Sequence, residues 1–127
     1  MKSIRWLLGK LVLFYDAVVP VRALVRRSDA EQARVDAQTA SMALYQFTAC
    51  PFCVKVRRAA RALNLRLEIR DALRDPTSRK ELLERGGKSK VPCLRITENG
   101  QDTWMYESSE IVRYLHARFA AAAAAAA

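Results

Sequence analysis

With 127 residues, 51% of them apolar, the chain has room for one domain with its own core and an appendage. Its three cysteines are too few, and odd in number, for the disulfide framework of a small secreted protein; they fit a reducing compartment or redox chemistry. The net charge of +9 is spread along the chain (7 basic and 4 acidic side chains in residues 1–40, 15 and 9 in 41–127), and no nucleic-acid motif accompanies it. It therefore reads as a solvated basic face, and no nucleic-acid partner is expected.

Residues 1–27 are apolar with scattered charge, from Ile4, Trp6, Leu7 and Leu8 through Leu11–Tyr15 to Val18, Val19 and Val21. The stretch approaches the roughly 20 apolar residues of a membrane span, but Lys10, Asp16, Pro20 and Arg22 interrupt it. A central Lys or Asp costs about 2.5–3.5 kcal/mol, and each Leu or Val returns about 0.3–0.6, so insertion sums to near zero. The segment is expected to meet membrane lipid, spanning it or lying in its interface; the alternative is a helix packed on protein. Basic residues flank both ends and orient it only weakly.

Ser28-Asp29-Ala30-Glu31 is a capping box, and residues 28–40 read as a short connector helix. Residues 41–119 alternate strand and helix signals. Ala43–Phe47 is a buried first strand, and Val56, Ala60 and Leu63 form one face of a helix, with Lys55, Arg58 and Arg61 on another, solvated face. Leu65, Leu67 and Ile69 alternate with charges as a second strand. Asp75-Pro76 starts a helix with Leu82 and Leu83 inward, and Gly86-Gly87 stops it. Pro92–Thr97 and Asp102–Tyr106 are strands joined by the Asn99-Gly100 hairpin turn. Ser108 is the expected N-cap of a last helix whose inner side carries Ile111, Val112, Leu115 and Phe119. The order β-α-β-α-β-β-α predicts an α/β fold: a mixed four-stranded sheet with helices on both faces, plus the N-terminal helical extension. Residues 120–127 are eight alanines, a low-complexity tail outside the fold.

The chemistry centres on Cys50-Pro51-Phe52-Cys53, where the first strand feeds the first helix of the domain. Unpaired N–H groups and the positive end of the helix dipole meet there, an environment that favours a thiolate. Pro51 suits the first helical turn, where no N–H donor is missed. Cys53 lies one turn deeper, so Cys50 is the expected nucleophile and Cys53 the resolving thiol. A zinc site from Cys50, Cys53, Cys93 and His116 is possible on paper, but no second paired motif supports it, and no metal is expected. Cys93 reads as a buried small hydrophobe and His116 as a helix-surface residue.

Three pieces in this order, Tyr45-Gln46-Phe47-Thr48-Ala49-Cys50-Pro51-Phe52-Cys53, Lys90-Val91-Pro92 and Tyr106-Glu107-Ser108-Ser109-Glu110-Ile111, resemble the glutaredoxin family of the thioredoxin fold over residues 42–119. The last two pieces also resemble the N-terminal domain of glutathione S-transferases. The resemblance implies glutathione as co-substrate and glutathionylated or disulfide-bonded proteins as substrates, reduced through Cys50 and Cys53. Pro92 matches the cis-proline facing the reactive cysteine, and Val91 would offer its backbone to the cysteinyl part of glutathione. Glu107 and Ser108 match the pair that receives the γ-glutamyl end, Lys90 a basic residue for the glycyl carboxylate, and Phe52 the aromatic position within the motif. Phe47 stands where many glutaredoxins have a lysine, and Cys93 follows the proline as an unusual third thiol. The alternatives are an iron–sulfur carrier, against which Pro51 argues because such relatives often have glycine there, and a membrane-tethered adaptor without turnover. A cytoplasmic-facing domain is expected from the reducing chemistry.

Overall fold

The structure is a computed structural model and describes residues 2–120; of the alanine tail, residues 121–127 lie outside the described residues. The elements are α1 (Lys2–Val18), α2 (Asp29–Thr39), β1 (Met42–Gln46), α3 (Pro51–Ala62), β2 (Glu68–Asp71), α4 (Pro76–Gly86), β3 (Cys93–Glu98), β4 (Gln101–Met105) and α5 (Ser108–Leu115), followed by a π-helical turn at His116–Ala120. The four strands form one sheet in the order β2-β1-β3-β4. β1 and β2 run parallel, while β1–β3 and β3–β4 are antiparallel. This is the expected mixed sheet of the thioredoxin-like fold.

The pleat divides the core in two. Met42 and Leu44 of β1, with Leu94 and Ile96 of β3, pack against Val56, Ala60, Ile111, Leu115 and Phe119. Ala43, Tyr45 and Cys93 point the other way, onto Ala72 and Leu82. Successive strand residues face opposite sides, so α3 and α5 cover one face and α4 the other. All five residues of β1 are buried, as a central strand covered on both faces requires.

The local signals act largely as expected. The Ser28 hydroxyl accepts the Glu31 N–H and donates to its carboxylate. Asp75 caps α4, accepting from Thr77 N–H and Ser78 Oγ–H, and Gly87 ends it at φ +91°. Three expectations need correction. Leu83 faces solvent, since the inner row of α4 passes through Ser78 and Leu82. Ser108 is the first helical residue of α5, and the N-cap is Glu107. β2 begins at Glu68 rather than Leu65: its pairing opens at Ala43–Glu68, one residue from the start of β1, so Leu65 fills the core from a loop.

The N-terminal segment is a 17-residue helix. At 1.5 Å per residue it is about 26 Å long, short of the roughly 30 Å hydrocarbon core of a bilayer. Pro20, two residues past its end, prevents continuation. Among the described residues no helix is long and apolar enough to cross a membrane.

α1 packs against α3. Asp16 near its C-terminus pairs with Arg57 (3.6 Å), Arg58 (3.3 Å) and Arg61. Burial opposes ionisation of Asp16, but the hydrogen bonds from Arg61 and Arg58 and the field of these arginines outweigh it and hold the carboxyl below its ordinary value. Arg58 also donates to the carbonyls of Val19 and Pro20 and lies 5.0 Å from the Tyr15 ring. Two of the three cations expected on a solvated face thus serve as the dock for α1. α2 is tied in as well, with Val35 in the core and Arg27, just before it, donating to the carbonyls of Leu63 and Phe119.

Candidate active site

Cys50 stands between β1 and α3 as the N-cap of α3, in extended conformation at φ −76°, ψ 125°, with no side-chain bond to the helix. Pro51 occupies the first helical position, so the turn that carries the motif is made locally by its own residues. The Cys50 N–H donates to the Phe47 carbonyl at 3.2 Å, and the Cys50 carbonyl accepts Val54 N–H at 2.9 Å. The Cys50 thiol is partly exposed, whereas Cys53 is fully buried. Burial pushes the Cys53 thiol well above its ordinary value, despite a lowering contact with the Phe47 backbone, and its hydrogen bond with Cys50 adds to the rise. One thiol is therefore open to attack on a partner, and the second is held protonated in reach of the first.

The backbone around the pair is fixed by Arg57, which donates to Gln46 Oε1 and to the Thr48 carbonyl at 2.9 Å. Gln46, although polar, is buried at the end of β1.

The Val91–Pro92 peptide bond is cis. Around it opens a cleft of about 360 Å³ lined by Phe52, Lys90, Val91, Pro92, Glu107 and Ser108, together with Phe47, Ser89 and Tyr106. All six residues expected from the sequence to contact a ligand thus share one cleft. They come from three separate places: the first turn of α3, the loop before β3 and the start of α5. Glu107 adopts φ +66°, a region that disfavours side chains other than glycine, and so carries local strain at the mouth of this cleft.

Tyr106 was not singled out in the sequence as a site residue. Its hydroxyl donates to the Lys88 carbonyl at 3.0 Å and accepts the Lys88 N–H at 3.3 Å, holding the loop that carries Lys90 and Val91. Gly86 lies beneath it: an added Cβ there would collide with the Tyr106 hydroxyl and stand 2.9 Å from Trp104. The local signal was present in the Gly86-Gly87 pair, read only as a helix stop. Phe47, noted only for replacing a lysine, is a wall of the cleft.

Cys93 is buried beside Tyr45 and Leu82, and burial pushes its thiol up to about 12, with only partial relief from the Tyr106 hydroxyl beside it. Among the described residues no group of three or more His, Cys, Asp and Glu gathers to hold a metal ion.

Two solved structures of maleylacetoacetate isomerase from Anaeromyxobacter dehalogenans 2CP-1 are similar, one with bound dicarboxyethyl glutathione and citrate in the active site and one with bound GSH there. Each is 23% identical, with a TM-score of 0.48, over 62% of this chain and 37% or 38% of the isomerase chain. The chain thus spans less than two fifths of the length of those isomerases. No curated protein matches it. The family model for the glutathione S-transferase N-terminal domain matches residues 44–123, more than half of the sequence, and the chain belongs to that family.

Proposed function

We propose that the chain is a glutathione-dependent thiol–disulfide oxidoreductase of glutaredoxin type. The observation that carries this reading is a partly exposed Cys50 with a buried Cys53 in hydrogen-bond reach, in the same motif as Phe52, which lines the cleft around Pro92. A dithiol at a helix N-terminus is the arrangement that exchange chemistry uses.

In this reading the cleft holds glutathione. The backbone of Val91 meets its cysteinyl part, Lys90 its glycyl carboxylate, and Glu107 with the N-terminus of α5 at Ser108 its γ-glutamyl end, while Phe52 closes one side. The Cys50 thiolate attacks the glutathionyl sulfur of a mixed disulfide; the new Cys50–glutathione bond forms as the substrate thiolate leaves and takes up a proton. A second glutathione thiolate then attacks that adduct, releasing glutathione disulfide and regenerating Cys50. With a protein disulfide, the Cys50 thiolate first opens it, forming a mixed disulfide as one substrate thiolate leaves; Cys53 then loses its proton and attacks Cys50, the second substrate thiolate leaves, and two glutathiones reduce the resulting Cys50–Cys53 disulfide with release of glutathione disulfide.

We assign this work to residues 41–119, with 28–40 as connector and 1–27 as the appended segment. Trp6, Leu7 and Phe14 of α1 are exposed, with Arg5 and Lys10 nearby. Such a helix can lie in a lipid interface and keep the domain at a cytoplasmic membrane surface. Flotation of the chain with anionic vesicles, lost in Trp6→Asp/Phe14→Asp, tests that part; no flotation of the parent chain contradicts it.

The exchange reading is tested by glutathione-coupled reduction of a small mixed disulfide. We expect Cys50→Ser to lower turnover at least about a thousandfold, as loss of a nucleophile does, and Cys53→Ser to retain part of it. A parent chain without glutathione-dependent turnover would refute the proposal.

A further inference from the structure

A second recess has Cys50 in its lining. It is a groove of about 470 Å³ between α1 and the start of α3, with Leu8, Gly9 and Val12 on one wall and Ala49, Cys50 and Pro51 on the other. Its lining is apolar apart from Arg5 and the cysteine itself. Phe47 lines both this groove and the Pro92 cleft, so the two recesses are neighbours across one ring.

The groove is a consequence of how α1 docks. The Asp16–arginine cluster pins the C-terminal end of α1 to α3. Gly9 then allows the middle of the helix to approach the reactive loop: a Cβ at Gly9 would stand 3.3 Å from the Cβ of Ala49, tighter than ordinary contact. The side chains of Leu8 and Val12 flank that approach and leave apolar space beside the nucleophile.

We propose that this groove binds the apolar half of the substrate, so that the preferred substrates are mixed disulfides between glutathione and an apolar thiol, aromatic or aliphatic. The proposal rests on the exchange reading above. The glutathione half takes the Pro92 cleft and the apolar thiol takes the α1 groove. Cys50 attacks the glutathionyl sulfur, the bond to the apolar sulfur breaks, and the apolar thiolate departs with the electron pair and is protonated by water. A second glutathione reduces the Cys50 adduct, so one glutathione disulfide forms for each apolar thiol released.

The test compares two substrates on the full chain: the glutathione mixed disulfides of benzyl mercaptan and of 2-mercaptoethanol. In parallel, alkylation of Cys50 by N-benzyl iodoacetamide and by iodoacetamide is followed by peptide mass, each rate divided by that of free glutathione thiol. The alkylation needs no bound glutathione and transfers one carbon group to Cys50 with loss of iodide. We expect the benzyl compound to be favoured at least about tenfold in both measurements, the scale of one apolar group in a fitted pocket. Leu8→Asp, Val12→Asp and the groove-filling Gly9→Leu bring both ratios toward one. Phe14→Asp, on α1 but outside the groove, keeps the parent ratios.

A parent ratio near one, or a preference untouched by all three groove variants, overturns the proposal. Selective alkylation without disulfide turnover removes the exchange reading and with it the substrate named here. Turnover without benzyl preference removes the groove and leaves the exchange reading in place.

Discussion

The cleft around Pro92 is lined by residues from the loop before β3 and from the starts of α3 and α5, Lys90 and Glu107 among them, whereas the groove beside Gly9 lies between α1 and the start of α3 and has Arg5 as its charged residue. Both are lined by Phe47, and the groove includes Cys50 as well. The first is part of the domain's own architecture, since its lining includes Pro92, just before β3, and Ser108, the first residue of α5. The second exists only while α1 stays docked, through an ion cluster and a close approach at glycine. A polar recess built into the fold suits a constant co-substrate; an apolar recess built by an appended helix is where substrate preference can vary without disturbing the fold.

The largest way to break this comparison is to overfill the support of the Pro92 cleft. Gly86→Val places atoms against the Tyr106 hydroxyl and Trp104. Overpacking of this kind costs about 1–3 kcal/mol, readable as a lowered urea midpoint at unchanged slope. Because Tyr106 holds the Lys88–Val91 loop, the KM for glutathione rises in the same variant while the alkylation ratio at the α1 groove is kept.

Glu107→Gly sharpens the comparison. Removing a side chain from φ +66° relieves strain but loosens the unfolded chain, so stability stays level or rises by up to about 1 kcal/mol. The KM for glutathione nonetheless increases several-fold, because the carboxylate that meets the γ-glutamyl ammonium is gone. A variant that is less stable with an unchanged KM would show Glu107 to be structural.

Asp16→Asn acts on the other recess and has the smallest effect on global stability, about 1 kcal/mol, because the part-buried cluster ties down an appended helix rather than the core. Its signature is local: hydrogen exchange in α1 accelerates and the benzyl preference shrinks, while glutathione KM is unmoved. Acid does the same in the parent chain. The Asp16 carboxyl titrates below its ordinary value when docked. Its contribution is therefore present above the unfolded-state pKa and is lost as pH falls through the depressed folded value. Release of α1 that begins instead above pH 6 would contradict this origin.

The two recesses also differ in how far the sequence reveals them. The Pro92 cleft was legible through the family resemblance, which three short pieces carry: the Cys-x-x-Cys at a strand–helix junction, Lys90-Val91-Pro92 and the Glu107-Ser108 pair at the start of α5. What was missed there, Tyr106 over Gly86, depends on a contact between α4 and the end of β4 that no local pattern encodes. The α1 groove was not legible for the same reason on a larger scale. Asp16 looked like a charge interrupting an apolar helix, and Arg58 and Arg61 like a solvated stripe; only their meeting, 42 and 45 residues apart, turns the helix onto α3. Leu83 and the start of β2 were misjudged because neighbouring apolar residues and alternation do not report which face a helix presents or where a partner strand begins.

Buried thiols give a further check along the pH axis. The Cys93 thiol is pushed by burial from an ordinary 9.0 to about 12. Between those values the unfolded chain loses a proton that the folded one keeps, so stability falls as pH rises through that window. Cys93→Ala flattens that fall, measured by urea unfolding at pH 8 and pH 10.

The central claim is that Cys50 is the nucleophile that receives glutathione. Its most direct test is to incubate the full chain, Cys50→Ser and Cys53→Ser with glutathione disulfide and map the adducts by peptide mass. The account predicts one glutathionyl group on Cys50, trapped in Cys53→Ser and absent from Cys50→Ser, with Cys93 unmodified until the chain is unfolded. Adducts on Cys53 or Cys93 in the folded Cys50→Ser chain, or none at all in Cys53→Ser, would contradict it.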